Sequence, residues 1–267
     1  MLAMLKILLP LGLVGVGVLY FFQDRLIFFP PSTPPESREK FEPHAYRVRH
    51  GDIDLHGWFV RGQVKADKPL LVYYGGNAEE VSVNLWDFER FDAGAGLFIN
   101  YRGYGDSGGK PSQASLCRDA LFILDHVAAS EKIPLSHMVL FGRSLGSGVA
   151  VYVASQRSVR GVILVTPFDS LTNVARHHYP IFPVRLLLKH PFNSLALAPA
   201  IPTPMLMLVA ARDEVIPNKY SVNLAQAWGG PVRTVVIDGA GHNDIQLDQG
   251  YWQAVNAFLS NPMDENR

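Results

Sequence analysis

Residues 140–150 read LFGRSLGSGVA and set a serine among glycines. An apolar run at 137–142, HMVLFG, leads into them, and small apolar residues follow. Gly142-Arg143-Ser144-Leu145-Gly146 is the pattern G-x-S-x-G. Between a strand and a helix, that pattern puts the serine on a strained turn with its hydroxyl above the sheet. Glycines two before and two after are needed because side chains there would collide with the turn's neighbours. The N–H of Leu145 opens the predicted helix, where it can face a developing negative charge.

Working outward, the same kind of short apolar run recurs. PLLVYY (69–74), AGLFIN (95–100), GVILVT (161–166), PMLMLVA (204–210) and RTVVID (233–238) are apolar on both faces. This suits parallel strands covered by helices. Helix-like segments at 79–90, 113–130, 145–156, 217–228 and 250–260 separate most of them. Ahead of these, AYRVRH and IDLHGWFV alternate around Gly51-Asp52 and predict an antiparallel hairpin. The alternation of strand and helix predicts a mainly parallel central sheet with helices on both faces. Chemistry is then expected beyond the carboxyl ends of the strands.

A serine nucleophile needs a base and an orienting acid. Downstream of Ser144, RDEVIP puts Asp213 just past one strand, and GAGHND puts His242 in a glycine loop past the last. The chain order Ser, Asp, His matches this strand–turn–helix setting. Asp169 is the main alternative acid and Glu214 a lesser one. The loop YYGGNAEE turns tightly at Gly75-Gly76, and the N–H of Asn77 is the natural second oxyanion donor. NYRGYGDSGGKPS (100–112) reads as a compact support behind that loop, pinned by an ion pair between Arg102 and Asp106.

Composition excludes several alternatives. Lys plus Arg equals Asp plus Glu at 24 each, so no net field draws in nucleic acid. No Cys/His spacing suggests a metal, and no cofactor is implied. The one cysteine, Cys117, falls at helical spacing among apolar residues and reads as a core residue.

The first 22 residues carry a single charged side chain, Lys6, in an otherwise apolar run. Residues 1–23 are expected to be a single-pass membrane anchor or an uncleaved signal. Lys6 favours the N-terminus inside and the domain on the extracytoplasmic side. Residues 24–44 are Pro-rich and predict a stiff extended linker. Residues 45–262 then form the catalytic domain.

VYYGGNAEE, NYRGYGDSGGKPS, GRSLGSGVA, TPFDSL, RDEVIP and GAGHND occur in an order and spacing that resemble the α/β-hydrolase-domain proteins. The resemblance is to their small membrane-anchored branch, the serine-aminopeptidase-like proteins, lipases and depalmitoylases, and covers essentially the whole chain. It implies an α/β-hydrolase fold, with Ser144 as nucleophile, Asp213 as acid, His242 as base, and Leu145 and Asn77 as oxyanion donors. One departure is Gly75, where the family usually has histidine. The implied activity is a serine hydrolase cleaving acyl esters or thioesters at a bilayer. A silent scaffold or a peptidase of the same fold are the alternatives. Between Pro167 and Pro202 there is room for a helix or two, so a short cap or none is expected. Its apolar residues, Phe182 and Leu186 among them, predict an acyl-binding rim.

Overall fold

A computed structural model describes residues 15, 17 and 20–262. Eight strands form one sheet in the order β1-β2-β4-β3-β5-β6-β7-β8. They are β1 (Ala45–His50), β2 (Ile53–Val60), β3 (Leu70–Tyr74), β4 (Ala95–Ile99), β5 (Met138–Arg143), β6 (Gly161–Val165), β7 (Met205–Ala210) and β8 (Val232–Ile237). β1 and β2 form the expected hairpin, and β2 runs antiparallel to both its neighbours. The remaining pairings are parallel.

Every residue of β3 to β7, apart from Arg143 at the end of β5, is buried, which is why these segments read as unbroken apolar runs. Successive side chains go to opposite faces. Leu70, Val72 and Tyr74 join Leu140 and Val149 in one core layer. Leu71, Tyr73, Phe141 and Ile163 join Trp252 and Phe258 in the other. The helices Gln113–Ser130 and Leu145–Gln156 supply the first layer, and Gln249–Ser260 the second. β8 lies at the sheet edge with Val232 and Val236 exposed.

The N-terminal region differs from the expected stiff linker. Residues 20–27 are helical, and a second helix spans Pro35–Phe41. Phe28, Thr33, Ser37 and Phe41 are buried against the domain. Gly105 N–H donates to Pro31 O at 2.8 Å, and Arg38 pairs with Asp106 at 2.5 Å. The prolines restrict φ and leave the chain free to dock. Phe28 and Phe41 then bury enough apolar area to hold it down. Segment 24–44 is therefore part of the globular body.

The anchor expected over residues 1–23 lies mostly outside the described residues. Among the described residues, no helix is long and apolar enough to cross a membrane.

Candidate active site

β5 ends at Arg143 and the next helix begins at Leu145, leaving Ser144 alone on the turn. Its backbone sits at φ 48° and ψ −114°, a left-handed conformation that costs a non-glycine residue about 1–3 kcal/mol. Ser144 N–H is held by Val165 O at 2.9 Å, and Ser144 O accepts from the Ser147 hydroxyl at 2.6 Å. The turn is tight because the helix starts directly against β3. A Cβ at Gly146 would meet Gly75 O at 2.6 Å and collide with Tyr74 O. One at Gly142 would meet Gly146 O at 2.5 Å.

His242 Nε2 lies 2.9 Å from Ser144 Oγ. His242 Nδ1 lies 2.8 Å from Asp213 Oδ2. The Asp213 side chain is 2% exposed and that of His242 8%. An ionised Asp213 only accepts, so Nδ1 carries the proton and Nε2 presents its lone pair to the serine hydroxyl. The second oxygen, Asp213 Oδ1, accepts from Val215 N–H at 2.9 Å and Ile216 N–H at 2.7 Å. Asp213 thus caps its own turn with one oxygen and faces the imidazole with the other. Arg212 N–H donates to Ala240 O at 2.8 Å, tying the aspartate loop to the histidine loop.

The alternative acids are placed elsewhere. Asp169 is fully buried and accepts from the side-chain amides of Asn173 and Asn223, both at 3.0 Å. Glu214 is exposed.

The loop after β3 lies alongside the turn. The Cβ position of Gly76 is 3.7 Å from Ser144 Cβ. Leu145 is the first residue of its helix, so its N–H has no acceptor within the helix. The Asn77 side chain is fully engaged: Oδ1 accepts from Tyr104 OH at 2.8 Å and Phe29 N–H at 3.1 Å, and Nδ2 donates to Ile27 O at 2.6 Å. These bonds fix the side chain against Tyr104 and the N-terminal segment.

Glu79 does work that the sequence reading missed. Its carboxylate accepts from Gly76 N–H at 2.7 Å, Tyr73 OH at 2.7 Å, Asn84 Nδ2 at 2.7 Å and Arg143 Nη1 at 3.2 Å. Tyr101 OH donates to Gly75 O at 2.8 Å. Burial first, and the charge of Glu79 second, push the Tyr73 and Tyr101 phenols well above their ordinary range. Both therefore keep the proton they donate. A Cβ at Gly75 would approach Val81 at 3.0 Å and the Glu79 carboxyl carbon at 3.6 Å. Glu79 and Val81 occupy the side of the loop toward which a histidine at that position would point. The signal was present as Glu79, two residues past Asn77, and Arg143, inside G-x-S-x-G.

The expected Arg102–Asp106 pair does not form. Arg102 pairs with Asp119 across to the helix Gln113–Ser130, and Asp106 with Arg38. The loop still backs the Gly75–Asn77 turn, through Tyr101 and Tyr104.

Of the two rim residues, Phe182 lines an apolar groove of about 540 Å³. Leu186 is 84% exposed and is not part of that lining. Leu187 and Leu188 line it instead. Among the described residues, no group of three or more His, Cys, Asp or Glu is arranged to hold a metal ion.

The chain is similar to known proteins over nearly its full length. An uncharacterised protein of Mycobacterium tuberculosis is 32% identical, with 96% of this chain and 95% of that protein covered. Alpha/beta hydrolase domain-containing protein 17B of Xenopus tropicalis is 30% identical, over 76% of this chain and 69% of that protein. A crystal structure of an alpha-beta hydrolase from Vibrio vulnificus superposes with a TM-score of 0.71 at 18% identity, covering 85% of this chain and 87% of that one. The model of the serine hydrolase family matches residues 124–261, a span that contains Ser144, Asp213 and His242. The chain belongs to the serine hydrolase family and has the α/β-hydrolase fold.

Proposed function

We propose that the protein hydrolyses acyl esters or thioesters through Ser144, His242 and Asp213, with Leu145 and Asn77 N–H binding the oxyanion. The observation that carries this is the 2.9 Å separation of His242 Nε2 from Ser144 Oγ, with Asp213 behind the ring. Ser144 Oγ attacks the carbonyl carbon while its proton passes to His242 Nε2. The carbonyl oxygen takes up the negative charge and receives the two N–H donors. Collapse breaks the bond to the leaving oxygen or sulfur, which takes the proton from His242. Water then repeats the sequence on the acyl-enzyme, releasing the acid and restoring Ser144. The reaction needs only water besides the substrate.

Residues 45–262 supply this machinery and segment 24–44 completes the body. We further propose that residues 1–23 hold the domain at a bilayer as a single-pass anchor, with the domain on the extracytoplasmic side. The support is an apolar run whose only charged side chain is Lys6.

The test is labelling with a fluorophosphonate, with the adduct mapped by mass spectrometry. The expected adduct is on Ser144, absent in Ser144→Ala and weak in His242→Ala. A folded chain that takes no label would overturn the reading.

A further inference from the structure

We propose that the groove between segment 20–29 and the crossover at 175–188 is the acyl-chain subsite of the Ser144 centre, and that its occupant is a long unbranched acyl chain. The proposal rests on the hydrolase reading above. The groove measures about 540 Å³, within the roughly 300–1,000 Å³ typical of small-molecule sites. Leu26, Ile27, Ala175, Phe182, Val184 and Leu187 are among its walls.

One wall is the segment expected to be anchor and linker, and it is fastened in place. The Gln23 side chain donates to Leu187 O at 2.9 Å and accepts from Lys189 N–H at 2.8 Å. Asp24 meets His190 at 3.0 Å, and Phe28 is buried against the His190 ring. Gln23 is the one amide in the lining, and these bonds consume it. The groove therefore offers little to a polar group and suits hydrocarbon.

The walls of the groove are tied to the loops around Ser144. Ile27 and Phe29 bond directly to Asn77, whose neighbour Gly76 has its Cβ position 3.7 Å from Ser144 Cβ. On the other wall, the Ala175 helix ends at His178, whose Nε2 meets Val215 O at 2.8 Å, two residues past Asp213. Both walls are thus bonded to loops that carry the proposed catalytic groups. An acyl chain held between these walls would extend toward the loops around Ser144.

The test uses the full-length chain and p-nitrophenyl esters of two to sixteen carbons. In the wild type, kcat/KM is expected to rise about fourfold per buried methylene over the middle of the series. Ala175→Trp and Leu26→Trp, one on each wall, are expected to lower the ratio of laurate to acetate kcat/KM at least tenfold. Val83→Trp, on an exposed apolar residue outside the lining, should leave the ratio unchanged. Independently, Ser144→Ala should bind cis-parinaric acid with enhanced fluorescence, and the added Ala175→Trp should abolish it. A flat chain-length profile, or a ratio untouched by both groove variants, would overturn the proposal. If Ser144 takes the fluorophosphonate while the profile is flat, the subsite fails and the catalytic reading stands. If no ester turns over but parinaric acid binds and Ala175→Trp removes it, the groove holds acyl chains, while the catalytic reading and the groove's role as a subsite of Ser144 both fail.

Discussion

Arg143 and Glu79 form a nearly buried ion pair, Nη1 to Oε2 at 3.2 Å, directly beside the Ser144 turn. The same carboxylate oxygen holds Gly76 N–H at 2.7 Å, and Arg143 Nη2 reaches Asn243 Oδ1 at 3.5 Å. One pair therefore links the Gly75–Asn77 loop, the turn carrying Ser144 and the loop carrying His242. Glu79→Gln keeps the shape but removes the charge. If the Asn77 N–H binds the oxyanion as proposed, kcat is expected to fall about 10–100-fold, since a drift of about 1 Å in a positioned group costs that much. Stability should drop by about 3–5 kcal/mol because Arg143 is left charged and nearly buried. Glu79→Gln combined with Arg143→Met should recover part of the stability and none of the activity. Urea denaturation alongside ester kinetics separates the two effects.

Asp213→Asn tests the orienting role. Asparagine can still accept from Val215 and Ile216 N–H, so the turn survives. Its amide would face His242 Nδ1 as a donor, forcing the proton onto Nε2. A protonated Nε2 cannot take the serine proton. Kcat is expected to fall about 10⁴-fold with little change in Tm, and fluorophosphonate labelling should slow in parallel.

The parts of the fold that sequence made legible are those where one physical constraint leaves a local mark. β3 to β7 are buried on both faces, so their apolar runs could be bounded to within a residue or two. Ser144, Asp213 and His242 each follow a strand, and the geometry brings these three together. The N-terminal segment was opaque because its contacts are long-range. Gln23 bonds to Leu187 and Lys189, and Ile27 to Asn77, none of which leaves a periodic trace. Its prolines suggested a linker, while two buried phenylalanines decide the packing. Arg102 and Asp106 failed for a related reason: proximity in sequence said nothing of Asp119 and Arg38.

His56 should make the fold acid-sensitive. It lies buried in β2, its ring edge-on to Trp58 at 4.8 Å, and among the described residues neither ring nitrogen has a hydrogen-bond partner. Burial lowers its pKa below the ordinary value of 6.5, with Asp106 opposing. As pH falls below about 6.5 the unfolded chain takes the proton first. The histidine's contribution is therefore intact above about pH 6.5 and is lost as pH falls toward and through the folded value. His56→Phe is expected to flatten the dependence of Tm on pH between about 5 and 7. An unchanged slope would show that another group controls it.

Gly146 tests why the turn needs small residues. A Cβ there would press on the carbonyl oxygen of Gly75 at 2.6 Å, and backbone cannot rotate away as a side chain can. Gly146→Ala is expected to cost about 1–3 kcal/mol through overpacking of β3 against the helix. That corresponds to a Tm loss of roughly 2–12 °C for a chain of this size. Activity of the folded fraction should fall too, because relief moves the loop that carries Asn77.

The strain at Ser144 gives an inactive variant that is more stable than its neighbour. Ser144→Ala removes the hydroxyl but keeps a Cβ at φ 48° and ψ −114°, so the backbone cost of about 1–3 kcal/mol remains. Ser144→Gly removes that cost. Against it stands the extra freedom glycine gives the unfolded chain, about 0.5–1 kcal/mol. The first effect exceeds the second over most of its range. Ser144→Gly is therefore expected to be more stable than Ser144→Ala by up to about 2 kcal/mol in urea denaturation. Both variants should be unlabelled by fluorophosphonate. If Ser144→Gly were less stable, the turn would be relaxed by other means, and the left-handed serine would have no energetic cost to trade for placing its hydroxyl at His242.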